Sequence, residues 1–186
     1  MRATLLAYLK VMFYYAGIGS RRTPTKFQTI FYEIGKYLGK KGFCLRSGGA
    51  MGADQAFERG CDLVLGKKEI FLPWKSFNDA NSGLIVSDPR AFKIAEKFHP
   101  NWSSLSSGGK KLQARNSHQI LGVDLNNPTN FVVCWTPDGK GSGGTGQALR
   151  IAKFYNIPVF DAGAYEHPKD FIITFKYHVK NLLSSL

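Results

Sequence analysis

Three glycine-rich segments constrain the fold of this chain most, because each follows a short apolar run and precedes a stretch of helical periodicity. They cover residues 17–20, 47–52 and 141–146. Repeated units of strand, glycine turn and helix are typical of a parallel sheet covered by helices. Such sheets bind ligands beyond the carboxyl ends of their strands. The sequence therefore predicts an α/β fold, a single Rossmann-like doubly wound parallel sheet with helices on both faces and a ligand site at one edge.

Apolar periodicity supplies the expected elements of this fold. Strands are expected at residues 11–16, 43–45, 69–72, 131–135 and 157–160. Helices are expected at residues 25–41, 53–65, 89–98, 111–121, 147–155 and 170–183. The polar residues 74–88 and the Ser- and Gly-rich residues 100–109 are expected to be exposed loops.

The N-terminal stretch is interpreted as a short extension, residues 1–11, before a domain that covers residues 12–186. It is apolar after Arg2, as in a signal peptide, but Lys10 interrupts it and the following residues fit a first strand. No run is long and apolar enough to cross a membrane. Three cysteines without CxxC spacing and four scattered histidines predict neither disulfides nor a metal site. We therefore expect a cytoplasmic protein.

The net charge of +12, from 25 Lys and Arg against 13 Asp and Glu, is unusual for a chain of 186 residues. Basic surfaces attract nucleic acids and nucleotides, so the charge favours a phosphate-bearing partner. The alternative is that the charge only keeps the protein soluble among polyanions, without specific binding. No cofactor is predicted: a dinucleotide motif would need a third glycine at Arg22, and a Walker motif would need Ser or Thr after a Gly-Lys pair, whereas Lys140 precedes glycine.

The first glycine segment suits an anion. Gly17, Gly19 and Ser20 offer backbone amides and a hydroxyl, and Arg21 and Arg22 offer guanidinium groups that can fork onto phosphate. A surface turn with solvated arginines is the alternative.

The second glycine segment is the more specific motif. Ser47, Gly48 and Gly49 would let backbone approach a ligand closely, and the following helix would point its positive end at that ligand. Asp54 lies in the first turn of that helix. It either stabilises the helix start or accepts hydrogen bonds from a ribose or base, and the residues alone leave both roles open.

The third segment places Gly143, Gly144 and Thr145 at another helix start. Arg115 and Asn116 belong to a helix before the preceding strand, and Arg115 is a candidate for pairing with phosphate. His118, in the same helix, is interpreted as a structural hydrogen-bonding residue.

Together these motifs resemble the superfamily that unites DprA/Smf DNA-processing proteins with the Lonely Guy (LOG) nucleotide hydrolases. The resemblance is closest to the stand-alone DprA-like proteins of bacteriophages, and it implies a Rossmann-like fold. A phage-encoded chain would act in the host cytoplasm, and a homo-oligomer is an added expectation because members often self-associate. The motifs are Gly-Ile-Gly-Ser-Arg at 17–21, Arg-Ser-Gly-Gly-Ala-Met-Gly-Ala-Asp at 46–54, Arg-Asn at 115–116 and Gly-Gly-Thr at 143–145.

The resemblance implies three functions. LOG enzymes cleave the N-glycosidic bond of a nucleoside monophosphate with an arginine and the glutamate of a PGGxGTxxE motif. Here Ala148 takes the glutamate position and can move no proton, although Asp54 or Glu58 could substitute. The sequence thus favours non-catalytic binding of a small nucleotide or nucleotide-derived signal over hydrolysis, with sequestration of that ligand as the expected role.

DprA-like binding of single-stranded DNA is the alternative binding function. Trp74, Phe77 and Trp102 are expected to be exposed aromatics on which bases could stack, next to a basic surface. Packing in the core or in loops is the competing role for all three.

Overall fold

The computed structural model describes residues 12–184, so the expected extension at residues 1–11 lies outside the described residues. Its sheet has five strands, all parallel, in the order β3-β2-β1-β4-β5. The strands are β1 (Tyr14–Gly17), β2 (Cys44–Ser47), β3 (Lys68–Ile70), β4 (Phe131–Cys134) and β5 (Val159–Asp161). The helices are α1 (Thr25–Lys40), α2 (Ala53–Leu63), α3 (Pro89–Phe98), α4 (Ser107–Leu121), α5 (Thr145–Phe154) and α6 (Pro168–Ser184).

The predicted fold class is confirmed, and the differences concern element ends. The first strand begins at Tyr14, three residues later than expected. The fourth helix begins at Ser107, inside the segment expected to be an exposed loop. The Ser106 hydroxyl accepts a hydrogen bond from the Gly109 amide and caps this helix. The cap holds two glycines in the first turn, where helix propensity alone argues against a helix.

Helices α1, α2 and α6 cover one face of the sheet. The rings of Phe31 and Phe57 stack there with centroids 4.4 Å apart. A Cβ added to Gly35 would overlap the Phe57 carbonyl, and one added to Gly60 would overlap the Tyr32 carbonyl. The backbones of α1 and α2 are therefore in direct contact, which requires glycine at both positions.

The opposite face is covered by α3, α4 and α5, and its core contains Ile120, Val132, Ala148 and Ile151. Cys44, Cys61 and Cys134 are buried free thiols. No helix between residues 12 and 184 is long and apolar enough to cross a membrane.

The strand order reverses between β1 and β4. The chain leaves β1 for α1 on one face and leaves β4 for α5 on the other. Loops that diverge in this way leave a crevice at the carboxyl edge of the sheet, and ligands of such folds bind there.

Candidate ligand-binding cleft

A cleft of about 530 Å³ lies at this crevice. Its walls come from the loop after β1, from α4, and from the loop after β4 with the first turn of α5. Nine of the predicted site residues line it: Gly19, Ser20, Arg21, Asp54, Arg115, Asn116, Gly143, Gly144 and Thr145. The motifs thus meet at one place, although binding itself stays a prediction.

The other four predicted residues, Gly17, Ser47, Gly48 and Gly49, do not line the cleft but lie buried beneath it. The Ser47 hydroxyl donates to the Gly17 carbonyl at 2.8 Å. A Cβ on Gly17 would lie 2.7 Å from the Phe57 ring. Core packing and protein hydrogen bonds surround these residues, and their direct contact with a ligand stays a prediction.

Asp54 joins the first two glycine turns. Its carboxylate accepts hydrogen bonds from the amides of Gly19 and Gly48, each at 3.1 Å. Only 2% of the residue is exposed. Burial raises the pKa of Asp54, while Arg115 and the backbone amides oppose that shift. The carboxylate thus holds the backbone of two turns together, a role different from the expected stabilisation of the helix start, and its contact with a ribose or base stays a prediction.

Arg115 is held in place from three sides. Its Nη1 donates to the Gly48 carbonyl at 2.5 Å and lies 3.8 Å from Oδ2 of Asp54. Its Nε donates to Oδ1 of Asn116 at 3.1 Å. Burial lowers the pKa of Arg115, and the nearby positive charge of Arg21 acts in the same direction. This guanidinium is thus oriented before any ligand arrives.

Asn116 connects α4 to the third glycine turn, because its amide nitrogen donates to the Gly144 carbonyl at 3.1 Å. That turn is open. A Cβ added to Gly143 or Gly144 would meet nothing within 4 Å. Helix α5 begins at Thr145 without a side-chain cap or an acidic residue in its first turn. The Gly146 amide donates to the Gly143 carbonyl at 3.1 Å. The positive end of the α5 dipole therefore lies at the cleft without a compensating acidic residue in the first turn, an arrangement suited to an anion.

Acidic side chains outside the cleft shape the open turn. Asp138 accepts hydrogen bonds from the amides of Lys140 and Ser142, at 3.0 and 3.3 Å. These bonds, led by the one from Lys140, lower the pKa of Asp138 to about 2. Thr136 donates to Asp161, and its hydroxyl oxygen accepts from the Gly141 amide. The turn is therefore ordered by its base while its tip remains accessible.

The aromatic residues are less exposed than expected. Phe77 is only 4% exposed, which corrects its assignment as a surface platform. It lies under the guanidinium groups of Arg21 and Arg115, at 6.0 and 5.9 Å from its centroid. Trp74 is 39% exposed and meets Phe77 edge-on. Trp102 is half-buried, with the Lys110 ammonium 5.5 Å from its ring.

Glu58 emerges as a residue of the framework beneath the cleft, a role that sequence reasoning did not assign to it. It accepts a hydrogen bond from the Gly49 amide at 3.0 Å. Burial, and secondarily the charge of Asp54, raise the pKa of Glu58 to about 7. The sequence spacing could have indicated this position, because Glu58 follows Asp54 by four residues and residues four apart share a helix face.

Two residues of the LOG comparison have clear positions. Ala148 lines the cleft from α5. Asp54 carries the one carboxylate among the cleft-lining residues of the described chain.

His118 lies with Nδ1 3.0 Å from the Gly122 carbonyl and stacks on Phe71, in agreement with a structural role.

No protein-family model matches the sequence, and no curated protein matches it. Solved structures with similar folds include the following two. The Moco carrier protein of Chlamydomonas rheinhardtii aligns with a TM-score of 0.53 and 14% identity, over 90% of this chain and 86% of the other. The DNA processing protein A of Helicobacter pylori, described for its single-stranded DNA binding mode, aligns with a TM-score of 0.51 and 21% identity. That alignment covers 80% of this chain and 64% of the other. Both likenesses concern the fold alone.

Proposed function

We propose that this chain is a DprA/LOG-like binding protein that holds a phosphate-bearing nucleotide in the cleft without hydrolysing it. The observation that carries the proposal is the convergence of positive groups. Arg21, Arg22 and Arg115 line the cleft together with the uncapped start of α5. The opposing carboxylate, on Asp54, is occupied by backbone amides. Such a cleft favours a ligand with at least two negative charges.

The open glycine turn is the proposed phosphate subsite. Amides at the start of a helix bind phosphate directly, and the dipole adds about 0.3–1 kcal/mol. Ile18, Leu112, Pro137 and Ala148 supply apolar lining elsewhere in the same cleft. A nucleoside would contact that apolar wall while its phosphate meets the turn, which is the usual division of a small-molecule site.

Retention of an intact ligand is the second part of the proposal. Cleavage of an N-glycosidic bond requires a group that stabilises an oxocarbenium-like centre or transfers a proton. Ala148 has neither ability, and both oxygens of Asp54 accept backbone hydrogen bonds. One structural neighbour is itself named a carrier protein. Sequestration of a small nucleotide or nucleotide-derived signal is the role that these features support.

Binding of single-stranded DNA is the second candidate. The half-exposed Trp74 and the Lys110–Trp102 contact would provide stacking and charge at the surface. The Helicobacter neighbour is described as binding single-stranded DNA. Because DNA binding releases counterions, its affinity would fall steeply with salt, whereas a small nucleotide in the cleft would show a modest dependence.

The first test is to purify the full chain, denature it and identify released compounds by mass spectrometry. A discrete small nucleotide is the expected result. Long heterogeneous nucleic acid, removed by high salt, would favour the DNA-binding function instead. Free base released from the bound nucleotide on incubation with the folded protein would overturn the non-catalytic part of the proposal.

A matched pair of variants tests the location. Arg22→Glu and Lys153→Glu change the net charge equally, and both side chains are exposed. Lys153 lies eight residues after Thr145, about 12 Å along α5 from the cleft. Titration of the identified nucleotide should show affinity lowered about tenfold or more by Arg22→Glu alone. Equal losses in both variants would argue for non-specific charge attraction.

A further inference from the structure

The face formed by α1 and α6 carries an apolar groove of about 340 Å³, separate from the cleft. Six of its lining residues are Thr29, Ile30, Ile34, Tyr37, Ile172 and Phe175. Phe175 and Ile34 are nearly buried and form its floor, whereas Tyr37 is 43% exposed. On the same helix as Phe175, Ile173 and Tyr177 are 68% and 69% exposed. A concave apolar surface of this kind marks a site of interaction.

The two helices that form the groove are rich in lysine, and Lys176 lines the groove itself. Helix α1 with its capping residue Lys41, and helix α6, contain seven lysines against two acidic residues, Glu33 and Asp170. The lysines are Lys26, Lys36, Lys40, Lys41, Lys169, Lys176 and Lys180. Helical spacing puts Lys26 and Lys41 at the two ends of the α1 stripe that lines the groove. Lys169, Lys176 and Lys180 form a matching stripe on α6 with Ile172.

The one acidic residue of the groove is already paired. Glu33 lies 3.5 Å from Lys36 in an exposed ion pair one turn along α1. The remaining lysines therefore present a positive rim around an apolar floor. A partner that complements this groove must therefore carry an apolar ridge with acidic groups on both sides of it.

We infer that the α1–α6 groove docks an acidic amphipathic helix of another protein. Such a helix inserts apolar residues at i, i+3 or i+4, and i+7 between the two helices, and its acidic side chains reach the lysine rim. A second copy of this chain would bring lysines against lysines. A nucleic acid would leave the apolar floor unmatched, and a flat bilayer does not fill a recess between two helices. Residues 1–11 contain Arg2 and Lys10 and no acidic residue, so their charge is also wrong.

The test uses three labelled peptides of about 18 residues, a length that supports a helix. One places leucines at helical spacing with glutamates elsewhere, the second replaces the glutamates by lysines, and the third scatters the leucines of the first. Fluorescence anisotropy with the full chain should show the acidic amphipathic peptide binding at least about tenfold more tightly than the other two.

Thr29→Arg separates groove occupancy from charge attraction. Thr29 lines the groove and is exposed, so the larger side chain fills the groove without entering the core. The substitution should weaken binding of the acidic peptide about tenfold even though it adds positive charge. Thr174→Arg, at an exposed position of α6 that does not line the groove, is the control and should leave binding unchanged or slightly tighter.

Several outcomes would overturn the inference. Equal binding of the three peptides, or tighter binding by Thr29→Arg, would reduce the effect to charge. A dimer in sedimentation that Thr29→Arg dissociates would assign the groove to a second copy. Binding of anionic vesicles but not of the peptide would assign it to a membrane, and peptide binding only after removal of residues 1–11 would assign it to the chain's own N-terminus. Nucleotide binding in the cleft, measured in the same samples, should not respond to Thr29→Arg, so the two proposals fail separately.

Discussion

The glycine turn after β2 and the glycine turn before α5 contribute to the same cleft in opposite ways. In the first, a Cβ on Gly48 would overlap Nη1 of Arg115, and one on Gly49 would lie 3.0 Å from Leu72. In the second, Gly143 and Gly144 have open space where a side chain would be. One turn is a buried framework, and the other is an accessible surface.

The difference shows why a pair of glycines is an ambiguous signal. Glycine permits close approach, but the approaching group can be a ligand or the protein itself. At Gly48 it is the Arg115 side chain, and the Asp54 carboxylate holds the amide. The buried turn therefore orients the arginine, and the open turn stays accessible from the cleft.

Removing the carboxylate of Asp54 should have the largest effect on this arrangement. Asp54→Ala leaves the amides of Gly19 and Gly48 and the charge of Arg115 without their partner. We expect a loss of about 3–5 kcal/mol in the free energy of unfolding, measured with urea. Asp138→Ala, which removes the acceptor under the open turn, should change global stability much less. Similar unfolding midpoints for the two variants would contradict the contrast between the turns.

The next effect is a pH dependence from Glu58, beneath the buried turn. Its pKa is raised from 4.5 to about 7, so between these values the folded chain binds more protons than the unfolded chain. Stability should therefore fall as pH rises from about 4.5 to 7 and level off above, by at most about 3 kcal/mol. The charged groups that interact with Glu58 are Asp54, Lys68 and Arg115, and the Gly49 amide donates to its carboxylate.

Glu58→Gln isolates this contribution. The amide oxygen still accepts from Gly49, but nothing titrates at this position. Urea unfolding at pH 5 and pH 8 should show a smaller decrease in stability for the variant than for the natural chain. An unchanged pH dependence would mean that Glu58 is not the group responsible.

Gly48→Ala and Gly144→Ala form a matched pair across the two turns. The first displaces the Arg115 guanidinium and should cost about 2 kcal/mol in stability, together with most of the nucleotide affinity. The second adds a methyl group in open space at φ −62° and should stay within about 0.5 kcal/mol of the natural chain. Urea unfolding and nucleotide titration measure both, and equal effects would remove the distinction.

Gly143→Ala should have a smaller effect on stability than Gly48→Ala. Its φ of +73° disfavours a side chain, at a cost of about 1 kcal/mol, although no neighbour lies within 4 Å. The turn adjoins the start of α5. The free energy of nucleotide binding should therefore change by more than the free energy of unfolding measured with urea. Gly144→Ala serves as the control with ordinary backbone angles. A variant that loses stability but keeps full affinity would place the phosphate elsewhere.

Most of the fold could be predicted because its signals are local. Apolar runs, helical periodicity and the glycines between them give the order of the elements, and that order places three turns at one sheet edge.

The predictions that were wrong are those in which a local signal pointed to the wrong structure. Glycines in the first turn of α4 argued for a loop, but the Ser106 cap outweighed them. Phe77, in a polar segment, was expected at the surface, yet it is 4% exposed beneath two arginines.

The sequence by itself determined the α/β architecture, the sheet edge at which the cleft lies and the basic character of that cleft. The tertiary structure decided which of two similar glycine turns is open, that Asp54 serves backbone amides, and that a lysine-rimmed groove separates α1 from α6. Those outcomes depend on contacts between distant parts of the chain. Arg115 and Gly48, for example, are 67 residues apart, and only folding brings the guanidinium against that carbonyl.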